Sequence, residues 1–306
     1  MSAVGLRRLG AGLALAAAGG LGWALTEATR YTLRRHTVPV LPAGAAPIRL
    51  LHLSDLHLVP SQRDKVAWVR DLAAEEPDLV VTTGDNMAHR LAVPSVLEAY
   101  APFLDGPGAF VFGSNDYYAP EPKNPIRYFF PDAEKRVPDE RLPSGELAAA
   151  LSRAGWVDLN NRRDRVTVGD AQLSLVGVDD PHLDLDVFPD ADDDDRAVLH
   201  LGVAHAPYRR VLDAMHDDGA DLILAGHTHG GQLCVPGFGA LVTNCDLDRR
   251  RASGLHGWPD SRPGTVGGEH SVWLNVSAGL GTSPYTPVRF ACPPEASLLT
   301  LVPRQG

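Results

Sequence analysis

The sequence predicts an α/β protein built on layered sheets, and three observations carry that reading. Short apolar runs recur at 48–54, 79–83, 109–112, 197–204 and 222–225, each the length of a buried strand. Helical segments stand between them at Lys65–Glu75, Ser95–Phe103 and Tyr208–Asp218, with Ser95 as a candidate N-cap. Each apolar run leads into a turn that holds a carboxylate, an amide or an imidazole. Strands that alternate with helices build layered sheets, and such sheets gather ligands at the carboxyl ends of their strands.

The first 45 residues stand apart from this pattern. Arg7 and Arg8 precede Leu9–Leu25, an uncharged run rich in Ala, Gly and Leu, and Arg34 and Arg35 follow it. The run is at the short edge for a membrane span and long for a signal-peptide core. We read it as an uncleaved membrane anchor, a transmembrane helix. A cleaved or twin-arginine export signal and a buried helix are the alternatives. Thr37–Pro47 reads as a linker, which sets a globular domain at 46–306.

Further along, Pro120–Pro143 reads as a long loop and Leu147–Arg153 as a helix. Arg165–Val168 and Gln172–Val178 flank Gly169-Asp170 as a hairpin would. Asp179–Asp195 reads as a solvated acidic loop, with calcium binding the lesser alternative because no EF-hand spacing is present. Gln232–Val235 is expected to be a strand, Asn244–His270 a loop, and Val272–Ser277 and Ser297–Val302 closing strands.

With 306 residues and 44% hydrophobic content, the chain can bury a sizeable core. Its formal net charge of -10 argues against binding a nucleic-acid backbone. Phosphorylated substrates stay open, because bound cations can supply positive charge locally. Cys234, Cys245 and Cys292 are too sparse for a disulfide framework or a zinc site and read as incidental thiols.

The densest chemistry lies in Ala225–Gln232, where His227 and His229 sit in a Gly-flanked turn after Leu222-Ile223-Leu224. Neutral imidazoles on one tight turn are good ligands for first-row metals. Asp55, His57, Asp85, Asn115 and His205 stand at the other strand ends. Together these carboxylates, imidazoles and one amide suit Mn, Fe or Zn. The set exceeds what one tetrahedral ion requires and suits two ions sharing a carboxylate, for which Asp85 is the natural bridge. Two ions about 3.5–4 Å apart can clamp a phosphoryl group and acidify a water into a hydroxide nucleophile. His52, His89, His182, His200, His216, His256 and His270 fall outside the set and read as surface or satisfied core histidines. Arg289 is read as either a phosphate contact or a structural ion pair.

Asp55-x-His57, Gly84-Asp85-Asn86, Gly113-Ser114-Asn115-Asp116, His205 and Gly226-His227-Thr228-His229 together resemble the calcineurin-like metallophosphoesterases, in matching order over residues 48 to about 302. The resemblance implies a four-layer α/β/β/α sandwich of two mixed sheets, a site for two divalent ions and metal-dependent hydrolysis of phosphoesters, phosphodiesters above all. Ser277–Ser283, Pro287–Phe290 and Pro294-Glu295 are similar to a membrane-associated bacterial branch of that family. A lipid- or envelope-linked ester would make use of the N-terminal anchor. The other reading is a binding or scaffold protein that kept the fold with weakened chemistry.

The third motif departs from the family's Gly-Asn-His-Asp, in which the Asn binds metal and the His helps protonate the leaving group. In strict register Ser114 takes the ligand slot and Asn115 the acid slot, and an amide is no general acid. With the turn shifted by one residue, Asn115 offers its carbonyl oxygen to a metal and Asp116 stands near the leaving group as the catalytic acid. We favour the shift at this stage, because a neutral serine hydroxyl is a poor ligand for a divalent cation.

Overall fold

The computed structural model describes residues 3–122, 138–191 and 197–304. Most of the expected Pro120–Pro143 loop and the run Asp192–Asp195 lie outside the described residues. In chain order the elements are α1 (Ala3–Glu27), β1 (Thr32–Leu41), β2 (Ile48–Leu53), α2 (Arg63–Asp71), β3 (Leu79–Thr82), α3 (Val93–Tyr100), β4 (Gly108–Phe110), α4 (Ser114–Tyr117), α5 (Ser144–Arg153), β5 (Val157–Asp158), β6 (Arg162–Val168) and β7 (Ala171–Gly177). They continue with β8 (Leu199–Val203), α6 (Arg209–Asp217), β9 (Leu222–Ala225), β10 (Cys234–Val235), β11 (Gly239–Ala240), β12 (Gly254–Trp258), β13 (Val272–Val276) and β14 (Glu295–Pro303).

Two six-stranded mixed sheets form, in the orders β1-β14-β2-β3-β4-β5 and β12-β13-β9-β8-β7-β6. Strand alternation explains the layers. In β2, Leu50 faces the second sheet while Leu51 and Leu53 face helices α2, α3 and α5. In β9, Leu222 and Leu224 face the first sheet while Ile223 packs with Leu212 and Met215 of α6. Strands buried on both faces read as continuous apolar runs, which is why 79–83 and 222–225 were legible. The result is the expected order of helix, sheet, sheet and helix.

Several local expectations change. Ser95 lies inside α3, whose N-cap is Ala92, because Pro94 at the start of the helix needs no amide donor. The Asn244–His270 stretch carries β12, which pairs antiparallel with β13 through Leu255 and Asn275. The expected linker carries the end of β1, which runs parallel to β14 from Thr32 to Leu41. Val38, Val40 and Leu41 are buried there, so the chain before residue 46 belongs partly to the sheet.

Residues 3–27 form one continuous helix, but no helix among the described residues is long and apolar enough to cross a membrane. The expected transmembrane helix is thus not found among the described residues. Ala and Gly fill much of the run and offer little apolar surface per turn. The last turn of α1 is docked instead. Glu27 is buried, and its carboxylate accepts from the amides of Ala291 and Cys292.

Candidate metal centre

The carboxyl ends of β2, β3, β4, β8 and β9 converge where the two sheets meet, and their turns are laced together by backbone bonds. The amide of Asp55 donates to Gly84 O, that of His57 to Asp85 O, and that of Gly226 to His205 O. Asp55, His57, Asp85, His227 and His229 all have positive φ, between 43° and 68°. Left-handed backbone costs a residue with a side chain about 1–2 kcal/mol, and clustering of such residues is a mark of functional sites. Close approach is possible because two neighbours lack side chains. A Cβ on Gly226 would lie 1.9 Å from Ser54 Oγ, and one on Gly113 would lie 2.5 Å from Asp85 Oδ1.

Six of the expected ligands are brought together. His57 Nε2 lies 3.2 Å from His229 Nε2, 3.4 Å from Asp85 Oδ2 and 3.9 Å from Asp55 Oδ1. His229 Nε2 is 3.6 Å from Asp55 Oδ1. On the other side His205 Nε2 is 3.6 Å from Asp85 Oδ1 and 3.3 Å from His227 Nδ1. Two triads, Asp55/His57/His229 and Asp55/Asp85/His205, each bring their ligand atoms within 4.8 Å of one another. Asp85 turns one oxygen toward each side.

The donor chemistry fits cations. Asp55 Oδ2 accepts from Ser54 Oγ and from the amide of His227, but its buried Oδ1 has no hydrogen-bond partner. The Nε2 atoms of His57 and His229 cannot both direct lone pairs at each other over 3.2 Å unless a proton or a cation lies between them. Neighbouring bonds assign tautomers to two more rings. His205 Nδ1 donates to Thr83 O at 2.7 Å and leaves Nε2 free, whereas His227 Nε2 donates to Asn244 O at 3.3 Å and leaves Nδ1 free. Burial lowers the pKa of His57 to about 4 and holds His227 and His229 well below 6.5, so these rings are neutral near pH 7. Burial also lifts Asp55 to about 6. For Asp85, burial is outweighed by His205 and His57, and its carboxyl stays ionised well below the usual range. Burial opposes protonation of His205 too, but Asp85, Asp55 and Asp180 raise it to about 9.

The third motif forms the short helix α4. Asn115 donates from its amide nitrogen to Asp85 Oδ1 at 2.7 Å and from Nδ2 to Asp85 Oδ2 at 2.8 Å. Ser114 Oγ donates to Asp180 Oδ2 at 2.6 Å. Asp116 is fully buried beneath the site. Its carboxylate accepts from the amides of Asp85, Asn86 and Gly113 and from Asn86 Nδ2. Burial and the nearby Asp85 carboxylate push its pKa up to about 7 against the pull of these donors.

Sequence reasoning left two neighbours outside the set. Asp180 is fully buried, although Asp179–Asp195 read as a solvated loop. His182 lies with its ring centroid 4.7 Å from that of His227, and its Nδ1 is 3.0 Å from Tyr208 Oη. The available signal was their place directly after β7, at one more strand end. Arg289 makes no ion pair among the described residues. It is buried and donates to the carbonyls of His229, Gly279 and Gly281.

The profile of the Calcineurin-like phosphoesterase family matches residues 48–231, the span that contains every one of these ligands. The chain belongs to that family. Relatives extend the likeness across the chain. Phosphodiesterase YaeI of Escherichia coli strain K12 is 26% identical over 279 residues, 89% of this chain and 88% of its own. An uncharacterized metallophosphoesterase of Aquifex aeolicus strain VF5 is 28% identical, over 89% of this chain and 90% of its own. UDP-2,3-diacylglucosamine pyrophosphatase LpxG of Chlamydia trachomatis serovar D is 25% identical, over 88% of both chains. This phosphoesterase is therefore a metal-dependent hydrolase of phosphoester bonds, with Asp and His clusters able to hold metal.

Proposed function

We propose that the enzyme hydrolyses phosphodiester or pyrophosphate bonds of a lipid-linked substrate, using two divalent ions, Mn, Fe or Zn. Asp55, His57, Asp85 and His229 would hold one ion, and Asp85, His205, His227 and the third motif the other. The observation that carries the reading is Asp85, with Oδ2 beside His57 and Oδ1 beside His205. Held by these residues, divalent ions would supply acidification of water and stabilisation of charge on a phosphoryl group. The protein's own part is positional: Ser54, Thr83, Asn244 and Arg289 each fix a ligand from behind, and burial keeps three of the imidazoles neutral for ligation.

For the third motif the contacts support strict register over the shift favoured from sequence. The side chain of Asn115 bonds Asp85 Oδ2, the oxygen nearer His57, while Ser114 bonds Asp180, whose carboxylate raises His205. Asp116 then positions the Asp85 turn and is not the leaving-group acid. In the acid slot Asn115 would offer an amide donor to a phosphoryl oxygen, yet it has no proton to give up.

Lipid linkage is supported by the Chlamydia relative, which is named a UDP-2,3-diacylglucosamine pyrophosphatase. It is also supported by α1, which exposes Leu15, Leu21, Trp23 and Leu25. An apolar helix surface of this kind can lie in a membrane interface. The test is elemental analysis of Mn-loaded protein together with turnover of bis-p-nitrophenyl phosphate. Two ions per chain and loss of both in Asp85→Ala are expected; a single ion in fully loaded wild type would overturn the two-ion reading.

A further inference from the structure

The three cysteines, scattered in sequence, are sorted by the fold. Cys234 opens β10 directly after the turn that presents His229, and Cys292 follows Arg289. The two segments are joined by backbone bonds, from the amide of Cys234 to Phe290 O at 2.8 Å and from that of Phe290 to Gln232 O at 3.0 Å. Cys234 Sγ donates to Gly230 O at 3.1 Å, and Cys292 Sγ lies 3.5 Å from the same oxygen and 3.3 Å from His229 O. The two sulfurs thus share one acceptor, the carbonyl oxygen of Gly230. Cys292 packs so tightly on this turn that a Cβ at Gly230 would lie 2.6 Å from its sulfur. Both residues line a groove of about 500 Å³ together with Val235, Phe238, Arg34 and Arg249. Cys234 is half-buried and Cys292 buried, so a small molecule entering the groove meets Cys234 first.

We propose that Cys234 and Cys292 form a redox pair that closes into a disulfide and thereby acts on the turn that presents His229. The co-reactant is a low-molecular-weight disulfide. The Cys234 sulfur attacks one of its sulfurs and breaks the S–S bond, and the first small thiol leaves with the proton of Cys234. The Cys292 sulfur then attacks the Cys234 sulfur of the mixed disulfide, and the second small thiol leaves with the proton of Cys292. The protein dithiol loses two electrons to the external disulfide, which ends as two thiols. Closure takes both S–H donors away from Gly230 O and His229 O. The carbonyl of His229 then keeps only its bond from Arg289 Nη1 at 3.0 Å among the described side-chain contacts. Hydrogen-bond partners that hold a metal ligand from behind are typically worth about 10–100-fold in metal affinity. This second half rests on the reading of His229 as a ligand, whereas the disulfide itself does not.

The full chain is incubated with oxidised glutathione, denatured, alkylated and mapped by mass spectrometry. Free thiols should fall from three to one, with a single peptide cross-link between Cys234 and Cys292, with Cys245 alkylated, and with full reversal by dithiothreitol. Cys234→Ser and Cys292→Ser keep a hydrogen-bond donor in place and should each abolish the cross-link. A stable glutathione adduct on Cys234, a cross-link that includes Cys245, or three thiols still free would overturn the proposal. Mn2+ titration by calorimetry tests the second half, with binding to the oxidised chain expected to be about tenfold weaker than to the reduced one. Equal affinity overturns the action on the His229 turn. A reduced chain that binds no Mn2+ overturns the metal reading and this second half with it, while the thiol map decides the first half independently.

Discussion

Replacing Asp116 by Asn separates a positioning carboxylate from a catalytic acid. Asp116 Oδ2 accepts from the amides of Asp85 at 2.8 Å and Gly113 at 3.1 Å, and Oδ1 accepts from the amide of Asn86 at 2.9 Å. In Asp116→Asn one of these oxygens becomes an NH2 group that faces a donor. If the remaining oxygen keeps the Oδ2 place, the Asn86 amide loses its acceptor; if it keeps the Oδ1 place, two amides do. A buried donor left unsatisfied costs about 1–3 kcal/mol, so a destabilisation of about 2–4 kcal/mol is expected. The Asp85 turn, held at a φ of 54°, loses its clamp, so ion occupancy should fall as well. Urea unfolding of the metal-free protein reads the first effect and elemental analysis the second. A variant with a wild-type unfolding midpoint and full ion content, but slowed selectively on esters with poor leaving groups, would refute the argument and restore Asp116 as the acid.

Four further outcomes are expected. His52 is fully buried between Thr83 and Asn275, and burial lowers its pKa to about 3. Below pH 6.5 the unfolded chain takes up a proton that the folded chain refuses, so stability falls by about 1.4 kcal/mol per pH unit as pH drops from 6.5 toward 3; His52→Gln should flatten that part of a urea-midpoint profile, and an unchanged slope would rule His52 out. In strict register, Ser114→Ala should reduce ion occupancy on the His205 side, while Asn115→Ala should leave two ions bound; the reverse pattern in elemental analysis would return the assignment to the shifted register. Without a proton donor in the acid slot, rates should fall steeply with leaving-group pKa, and Asn115→His should raise turnover of alkyl esters by up to about 10²–10⁴-fold with ion content unchanged. A chain that starts at Ala46 loses the buried Val38, Val40 and Leu41 of β1, worth about 5–9 kcal/mol in all, and should unfold or aggregate, whereas one that starts at Trp23 should fold; equal melting temperatures for the two would contradict that.

The converging residues were legible in the sequence because each stands just after a short apolar run, where a strand buried on both faces ends. Asp55, Asp85, His205 and the His227/His229 turn needed only the rule that strand ends converge. Their partners were not legible. The burial of Asp116 and Asp180, the pairing of Ser114 with Asp180, the approach of His182 to His227 and the meeting of Cys234 with Cys292 are contacts between turns remote in sequence. No periodicity records which turns face one another. The same holds at the start of the chain, where the prolines of 37–47 read as a linker because nothing local shows that β14, more than two hundred residues later, supplies the hydrogen bonds of β1. Composition and period determine which segments are strands and which residues stand at their ends; the order of strands in the two sheets decides which of those residues share a proton, a cation or a sulfur contact, because such interactions act over a few ångströms of space whatever the separation along the chain.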